Sequence, residues 1–150
     1  MITLQKGDSA PNFSGIDQDG KTHTLADYKG KKLVVFFYPK ADTPGCTAEA
    51  CDLRDNFERF KANNYELIGV SADSMKKQAK FKEKFQLPFP LLADEDKSVI
   101  EAFGVWGPKK FMGREFDGIH RTTFVIDEKG IIEEVIEKVK TKEHTAQLLK

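Results

Sequence analysis

The most apolar run in the chain is Leu33-Val34-Val35-Phe36-Phe37-Tyr38, continuous and made of β-branched and aromatic residues. Continuity without alternation predicts a central strand covered on both faces. Tyr65 to Ser71 predicts a second buried strand, Leu91-Leu92-Ala93 a short third and Thr122 to Ile126 a fourth. Between the first two, the period becomes helical. Ala50, Leu53, Phe57 and Phe60 form one stripe at ~100° per residue, predicting a helix from Thr43 to about Ala62, closed by Asn63-Asn64. Asp73 or Ser74 caps the next helix, whose face carries Met75, Ala79, Phe81 and Phe85 and which Pro88 breaks. Lys97 to Phe103, stopped by Gly104, and Lys142 to Leu149 predict two more.

The flanks are simpler. Ala10 to Ile16 is an extended lead-in, Asp19-Gly20 a hairpin turn and Lys21 to Thr24 the returning strand, followed by a helical turn to Gly30. Asp127 to Gly130 turns the fourth strand into a partner over Ile131 to Val135. Val105 to Ile119, with three glycines and one proline, reads as irregular. Strand–helix alternation ending in a hairpin predicts an α/β sandwich: a mixed sheet flanked by helices, with an N-terminal hairpin, in one domain over residues 1–150. A domain of this length buries roughly 68–70 % of its extended-chain surface. Twelve phenylalanines supply a core without disulfide staples.

Charge adds exclusions. With 24 basic and 24 acidic residues there is no electrostatic case for nucleic acid or an anionic membrane. The start, Met1 to Asp8, lacks the charged-then-apolar layout of a signal peptide, and no apolar run approaches the ~18 residues of a span. The expectation is a cytoplasmic protein. In a reducing compartment its two cysteines point to catalysis, redox chemistry or metal rather than a structural bridge.

Both cysteines lie in one stretch, Pro39-Lys40-Ala41-Asp42-Thr43-Pro44-Gly45-Cys46-Thr47-Ala48-Glu49-Ala50-Cys51, directly after the central strand. Thr43 reads as an N-cap with Pro44 at the first helical position. Cys46 then falls in the first turn, where unpaired N–H groups and the helix dipole favour a negative sulfur. Such positions lower a cysteine pKa below its free value of about 8.5, and the thiolate is the nucleophile. Cys46 points along the centre of the apolar stripe and Cys51 ~140° away from it. Five residues of intact helix separate their Cα atoms by roughly 8–9 Å, from rise and radius. Disulfides rarely tolerate more than ~7 Å. A bond between them, if it forms, requires the helix to unwind.

Several chemistries remain open on the residues alone. The two thiols could be inert core groups. A thiol–disulfide oxidoreductase would use C-x-x-C after a tryptophan, and here the spacing is C-x4-C with no such tryptophan. A zinc site would need His23, His120 or His144, none at useful spacing from the cysteines. Glu49 reads as a charge favouring the helix's first turns, and Trp106 and Phe111 as pocket walls or packing.

The segment Pro39-x-x-x-Thr43-x-x-Cys46, with Thr47 and Glu49 behind it, resembles the active-site signature of the peroxiredoxins. Tyr38-Pro39-Lys40, Thr43-Pro44-Gly45-Cys46-Thr47 and the second cysteine five residues on are similar to the bacterioferritin-comigratory protein / peroxiredoxin Q branch. So are Gly104-Val105-Trp106-Gly107, Lys110-Phe111-Met112-Gly113 and Gly118-Ile119-His120-Arg121-x-Thr123-Phe124-Val125-Ile126-Asp127. The resemblance covers nearly the whole chain. It implies a thioredoxin-like fold and a peroxidase acting on hydrogen peroxide and alkyl hydroperoxides, with no cofactor or metal. The same resemblance makes Cys46 the peroxidatic and Cys51 the resolving cysteine, joined as an intrachain disulfide that thioredoxin or a similar dithiol protein reduces. Arg121 matches the active-site arginine, able to bind thiolate and peroxide oxygen together. Thr43 would donate to the thiolate, accept from the peroxide or only cap the helix, and Pro39 would shield the pocket or end the strand. His120 would point away from Arg121 if both lie in a strand, and a monomer is expected.

Overall fold

The apolar run from Leu33 to Tyr38 forms most of β3 (Lys32–Phe37), the middle of a five-stranded sheet, with Tyr38 just beyond its end. The computed structural model describes residues 3–149, so Met1, Ile2 and Lys150, the outermost residues of the readings above, lie outside it. The described chain runs β1 (Ser14–Ile16), β2 (Thr22–Thr24), a 3-10 turn (Leu25–Tyr28), β3, α1 (Pro44–Asp55), α2 (Phe57–Ala62), β4 (Tyr65–Ser71), α3 (Met75–Phe85) and β5 (Leu91–Ala93). It continues with α4 (Ser98–Ala102), β6 (Trp106–Phe111), β7 (Arg114–Ile119), β8 (Thr122–Ile126), β9 (Ile132–Ile136) and α5 (His144–Leu148). The sheet order is β5-β4-β3-β8-β9. β3 pairs parallel with β4 and antiparallel with β8, so the sheet is mixed, and β1-β2 form a separate hairpin.

The two-residue alternation of β3 divides the core. Leu33, Val35 and Phe37 face Phe13, Val99, Ile100 and Phe103, on the side of α4. Val34, Phe36 and Tyr38 face Cys46, Ala50, Leu53, Phe60, Phe81 and Leu148, contributed by α1, α2, α3 and α5. The stripe read from the sequence is therefore the one that packs α1 on the sheet, and Cys46 lies at its N-terminal end.

Two elements differ from the sequence reading. The helix expected to run to Ala62 breaks at Asn56, whose side-chain Nδ2 donates to the Asp52 carbonyl at 2.8 Å. That carbonyl would otherwise accept the Asn56 N–H, which turns instead to Leu53 and Arg54. The segment taken as irregular holds a regular hairpin, β6 against β7, closed by Met112 and Gly113, both at positive φ.

Gly69, inside β4, allows the aromatic packing that supports the site. A Cβ there would meet Leu91 Cδ2 and Phe36 Cζ at 2.8 Å and Tyr38 Cε1 at 3.0 Å. Gly69→Ala should therefore destabilise the fold by about 1–3 kcal/mol, the usual cost of overpacking. Urea unfolding measures it, and an unchanged midpoint would show that these rings give way freely.

Candidate active site

Cys46 sits at the third position of α1, after Thr43 at the N-cap and Pro44 at the first helical position. Its side chain is buried, 2 % exposed, against the sheet. The preceding loop is held from below. Tyr38 Oη donates to Gln78 Oε1 (2.6 Å), and Gln78 Nε2 donates to Ser71 Oγ and the Leu92 carbonyl. Ser71 Oγ in turn donates to Asp73 Oδ2, which accepts the Ala41 N–H at 2.7 Å. This buried chain fixes where the loop delivers Cys46.

Arg121 arrives from the opposite direction, out of the two-residue link between β7 and β8. Its Nη2 donates to Cys46 Sγ at 3.2 Å and its Nη1 to Glu49 Oε1 at 2.7 Å. A charge-assisted donor at a sulfur favours negative charge there. Although burial opposes its charge, the neighbouring Cys46 and Glu49 hold Arg121 above the ordinary arginine pKa. Gly45 makes the approach possible, since a Cβ on it would lie 3.2 Å from Arg121 Nη2.

The other residues singled out from the sequence fall in different places. Thr43 occupies the N-cap, but its hydroxyl donates to the Lys40 carbonyl (2.8 Å) and makes no cap bond. First-turn amides are left available to an anion. Pro39 is exposed just past the end of β3. Cys51 is half-buried later on α1, and burial, helped by Asp55 and opposed by Arg54, pushes its thiol pKa up. Both cysteines are free thiols on one unbroken helix. His120 lies in the link rather than in a strand, with Nε2 on the Pro108 carbonyl. Phe111 is 66 % exposed at the hairpin tip, and Trp106 packs against the α4-side core under Lys97. On β6, Lys109 donates its Nζ to the Ile119 carbonyl at 2.9 Å and feels the site's charges: burial lowers its pKa, Arg121 lowers it further and Cys46 raises it.

Glu49 is the residue the sequence reading undervalued. It is wholly buried, and its carboxyl is pushed up to about 7, by desolvation against the pull of Arg121, with Asp52 adding to the rise. Behind it stands His144, also wholly buried, with Nε2 3.5 Å from Glu49 Oε2. A fully buried carboxylate one turn after a reactive cysteine was visible as a motif position. Its burial was not, because α5 closes over it from 95 residues away.

What this arrangement can do is hold an anionic sulfur beside a fixed cation, shielded from bulk water. Comparison with known proteins gives the family. The AhpC/TSA family model matches residues 6–135. Peroxiredoxin Bcp of Escherichia coli is 51 % identical over 144 residues, covering 96 % of this chain and 92 % of the relative. Peroxiredoxin Bcp of Bacillus subtilis is 49 % identical, covering 99 % and 94 %. A solved Xanthomonas campestris bacterioferritin comigratory protein, described in trapped intermediate/ligand complexes and for its alkyl peroxide reduction activity, superposes with a TM-score of 0.88. It is 32 % identical and covers 99 % of this chain and 95 % of its own. With the family model spanning most of its length and two Bcp relatives near half-identical, the chain belongs to the AhpC/TSA family, as a peroxiredoxin of the Bcp type.

Proposed function

We propose that this chain acts as one domain, residues 1–150, and is a thiol peroxidase of hydrogen peroxide and alkyl hydroperoxides. The observation that carries the reading is the Arg121 Nη2–Cys46 Sγ contact of 3.2 Å at the start of α1. The alkyl peroxide reduction described for the Xanthomonas relative supports the substrate class.

In the first step the Cys46 thiolate attacks the terminal oxygen of the hydroperoxide. The S–O bond forms as the O–O bond breaks, and the electron pair leaves on the alkoxide, which takes a proton. The products are Cys46 sulfenic acid and an alcohol, or water from hydrogen peroxide. Arg121 stabilises the charge spread over sulfur and oxygen, where a preorganised donor acts most strongly. Thr43 and Pro39 border this chemistry, Thr43 with a hydroxyl that can leave the Lys40 carbonyl for the peroxide.

In the second step the Cys51 thiol condenses with the sulfenic acid, releasing water and forming an intrachain disulfide. α1 is intact across both residues, so it must unwind for the sulfurs to meet. A dithiol protein such as thioredoxin then reduces the disulfide, giving two thiols and the oxidised reductant. A monomer working in the cytoplasm satisfies this cycle. Among the described residues no helix is long and apolar enough to cross a membrane.

One equivalent of hydroperoxide should remove both free thiols and leave a product of unchanged mass class on a non-reducing gel. Titrating thiols against added peroxide, with and without thioredoxin, tests this. A thiol-linked dimer would contradict the intrachain step, and peroxide left unconsumed would contradict the peroxidase.

A further inference from the structure

Glu49 Oε2 is the single buried side-chain polar atom that lacks a hydrogen-bond partner among the described residues. Such an atom costs stability unless a proton or donor reaches it. Its neighbour at 3.5 Å is His144 Nε2. The surrounding hydrogen bonds assign the histidine. Gln147 Oε1 accepts the Lys140 N–H, and Gln147 Nε2 donates to the Lys138 carbonyl, so Oε1 faces His144 Nδ1 at 2.7 Å as an acceptor. Nδ1 therefore carries a hydrogen. Nε2 faces Glu49 Oε2 and, at 2.8 Å, the Thr123 hydroxyl, which can donate or accept.

With Glu49 ionised and His144 neutral, two acceptors oppose each other in a dry site. One added proton resolves this, whether it resides on Oε2 or on Nε2, and in either form the pair has no net charge. Resting on the peroxidase reading above, we propose that His144 is a positioning residue for the reaction: it holds a shared proton with Glu49, which leaves the Arg121 cation to serve Cys46 sulfur and the peroxide. When that proton is lost, one guanidinium must answer two anions, Glu49 at 2.7 Å and the sulfur at 3.2 Å.

Burial favours the protonated pair, with Asp52 adding to it and Arg121 opposing it. Arg121 and Asp52 face Glu49, lowering and raising its carboxyl pKa, while burial raises it most, to about 7. For His144, burial is the largest influence and lowers its pKa, as does Arg121; Gln147, Asp52 and Glu134 raise it. Both directions put the shared proton mainly on the carboxyl side. The sign follows: below neutrality the pair is charge-neutral, and as pH rises through the Glu49 titration the pair becomes anionic. The rate constant of Cys46 oxidation, corrected for thiolate fraction, should then fall.

The test uses the full chain, with two readouts. Glutamate-carboxyl-labelled protein, followed by NMR against pH, gives the Glu49 titration directly, assigned by its loss in Glu49→Gln. Single-turnover stopped flow with hydrogen peroxide gives the rate profile. In the wild type both should inflect near neutrality. His144→Gln, whose amide can donate to a carboxylate, should move both inflections down by about one pH unit or more. Glu49→Gln, with Arg121's acceptor kept and the ionisation removed, should abolish the descending limb and make His144→Gln silent in the double variant. A carboxyl that titrates in the ordinary range, or one that His144→Gln leaves in place, overturns the proposal. A limb that persists in Glu49→Gln overturns it too. Should His144→Gln fail to fold, an ordinary-range Glu49 titration in the wild type or a limb that survives Glu49→Gln still overturns the proposal. A wild type that does not reduce peroxide refutes the peroxidase reading and leaves the carboxyl titration readable.

Discussion

Cys46→Ser should lose peroxide turnover entirely, at least ~10⁴-fold by the scale of nucleophile deletions, while the protein stays folded. A serine hydroxyl keeps the shape of the buried position but offers no anion at neutral pH for Arg121 to hold at the 3.2 Å now spanned to sulfur. Cys51→Ser should behave differently. Cys51 is half-buried on another face of α1, with Arg54 and Asp55 as its electrostatic neighbours, away from the Arg121 contact. That variant should still consume one equivalent of peroxide at the wild-type rate and then stall as a sulfenic acid. Stopped-flow consumption and trapping with a dimedone-type reagent read both outcomes. Turnover surviving in Cys46→Ser would reassign the nucleophile. A slow first equivalent in Cys51→Ser would place Cys51 in the attack rather than the resolution.

Much of this site was legible because its central part is local. A buried strand, the Thr43-Pro44-Gly45 helix start and a cysteine in the first turn are contiguous, and each has a sequence signature. Helical spacing placed Ala50, Leu53 and Phe60 on the sheet, where they are. The break at Asn56 was hidden because the stripe continues across it: Phe60 in α2 completes the face begun in α1, so periodicity alone reads one helix. The β6-β7 hairpin was hidden for the opposite reason. Both strands lie largely in solvent, so neither carries the apolar alternation by which a strand is recognised. The Met112-Gly113 turn was the one usable signal.

Arg121 and Glu49 show what distance along the chain conceals. Arg121 was placed in the site by motif resemblance, since an arginine before a strand ordinarily lies at the surface. The structure supplies the physical reason: a bare Gly45 and a buried carboxylate draw the guanidinium inward. Glu49 looked like a first-turn acid. Its real surroundings come from α5, tied to α1 where Asp52 Oδ2 accepts the Thr145 N–H at 2.7 Å. That contact joins residues 93 apart and has no local trace.

Arg121→Met should strike rate and stability together, and pH separates the two. Removing the donor to sulfur should slow Cys46 oxidation by roughly 10²–10³-fold, the range for loss of one preorganised donor. The same change strips the counter-charge from a wholly buried Glu49. Leaving one partner of a buried ion pair alone costs about 3–5 kcal/mol. The sign is set by the Glu49 carboxyl, raised from 4.5 to about 7 even with the arginine present. A carboxyl whose folded pKa lies above its unfolded one keeps its proton better when folded, so stability falls as pH rises through that interval. In Arg121→Met the carboxyl should rise further still, because the arginine was lowering it. The variant should therefore be close to wild-type stability at pH 5 and most destabilised at pH 8. Adding Glu49→Gln should restore stability at pH 8 without restoring the rate. Urea unfolding at the two pH values, beside stopped-flow oxidation, reads both. A stability loss equal at the two pH values would mean that the lost packing of the arginine stem, not the uncompensated carboxylate, is responsible. A rate rescued by Glu49→Gln would mean that Arg121 acts by neutralising Glu49 rather than by donating to sulfur and peroxide.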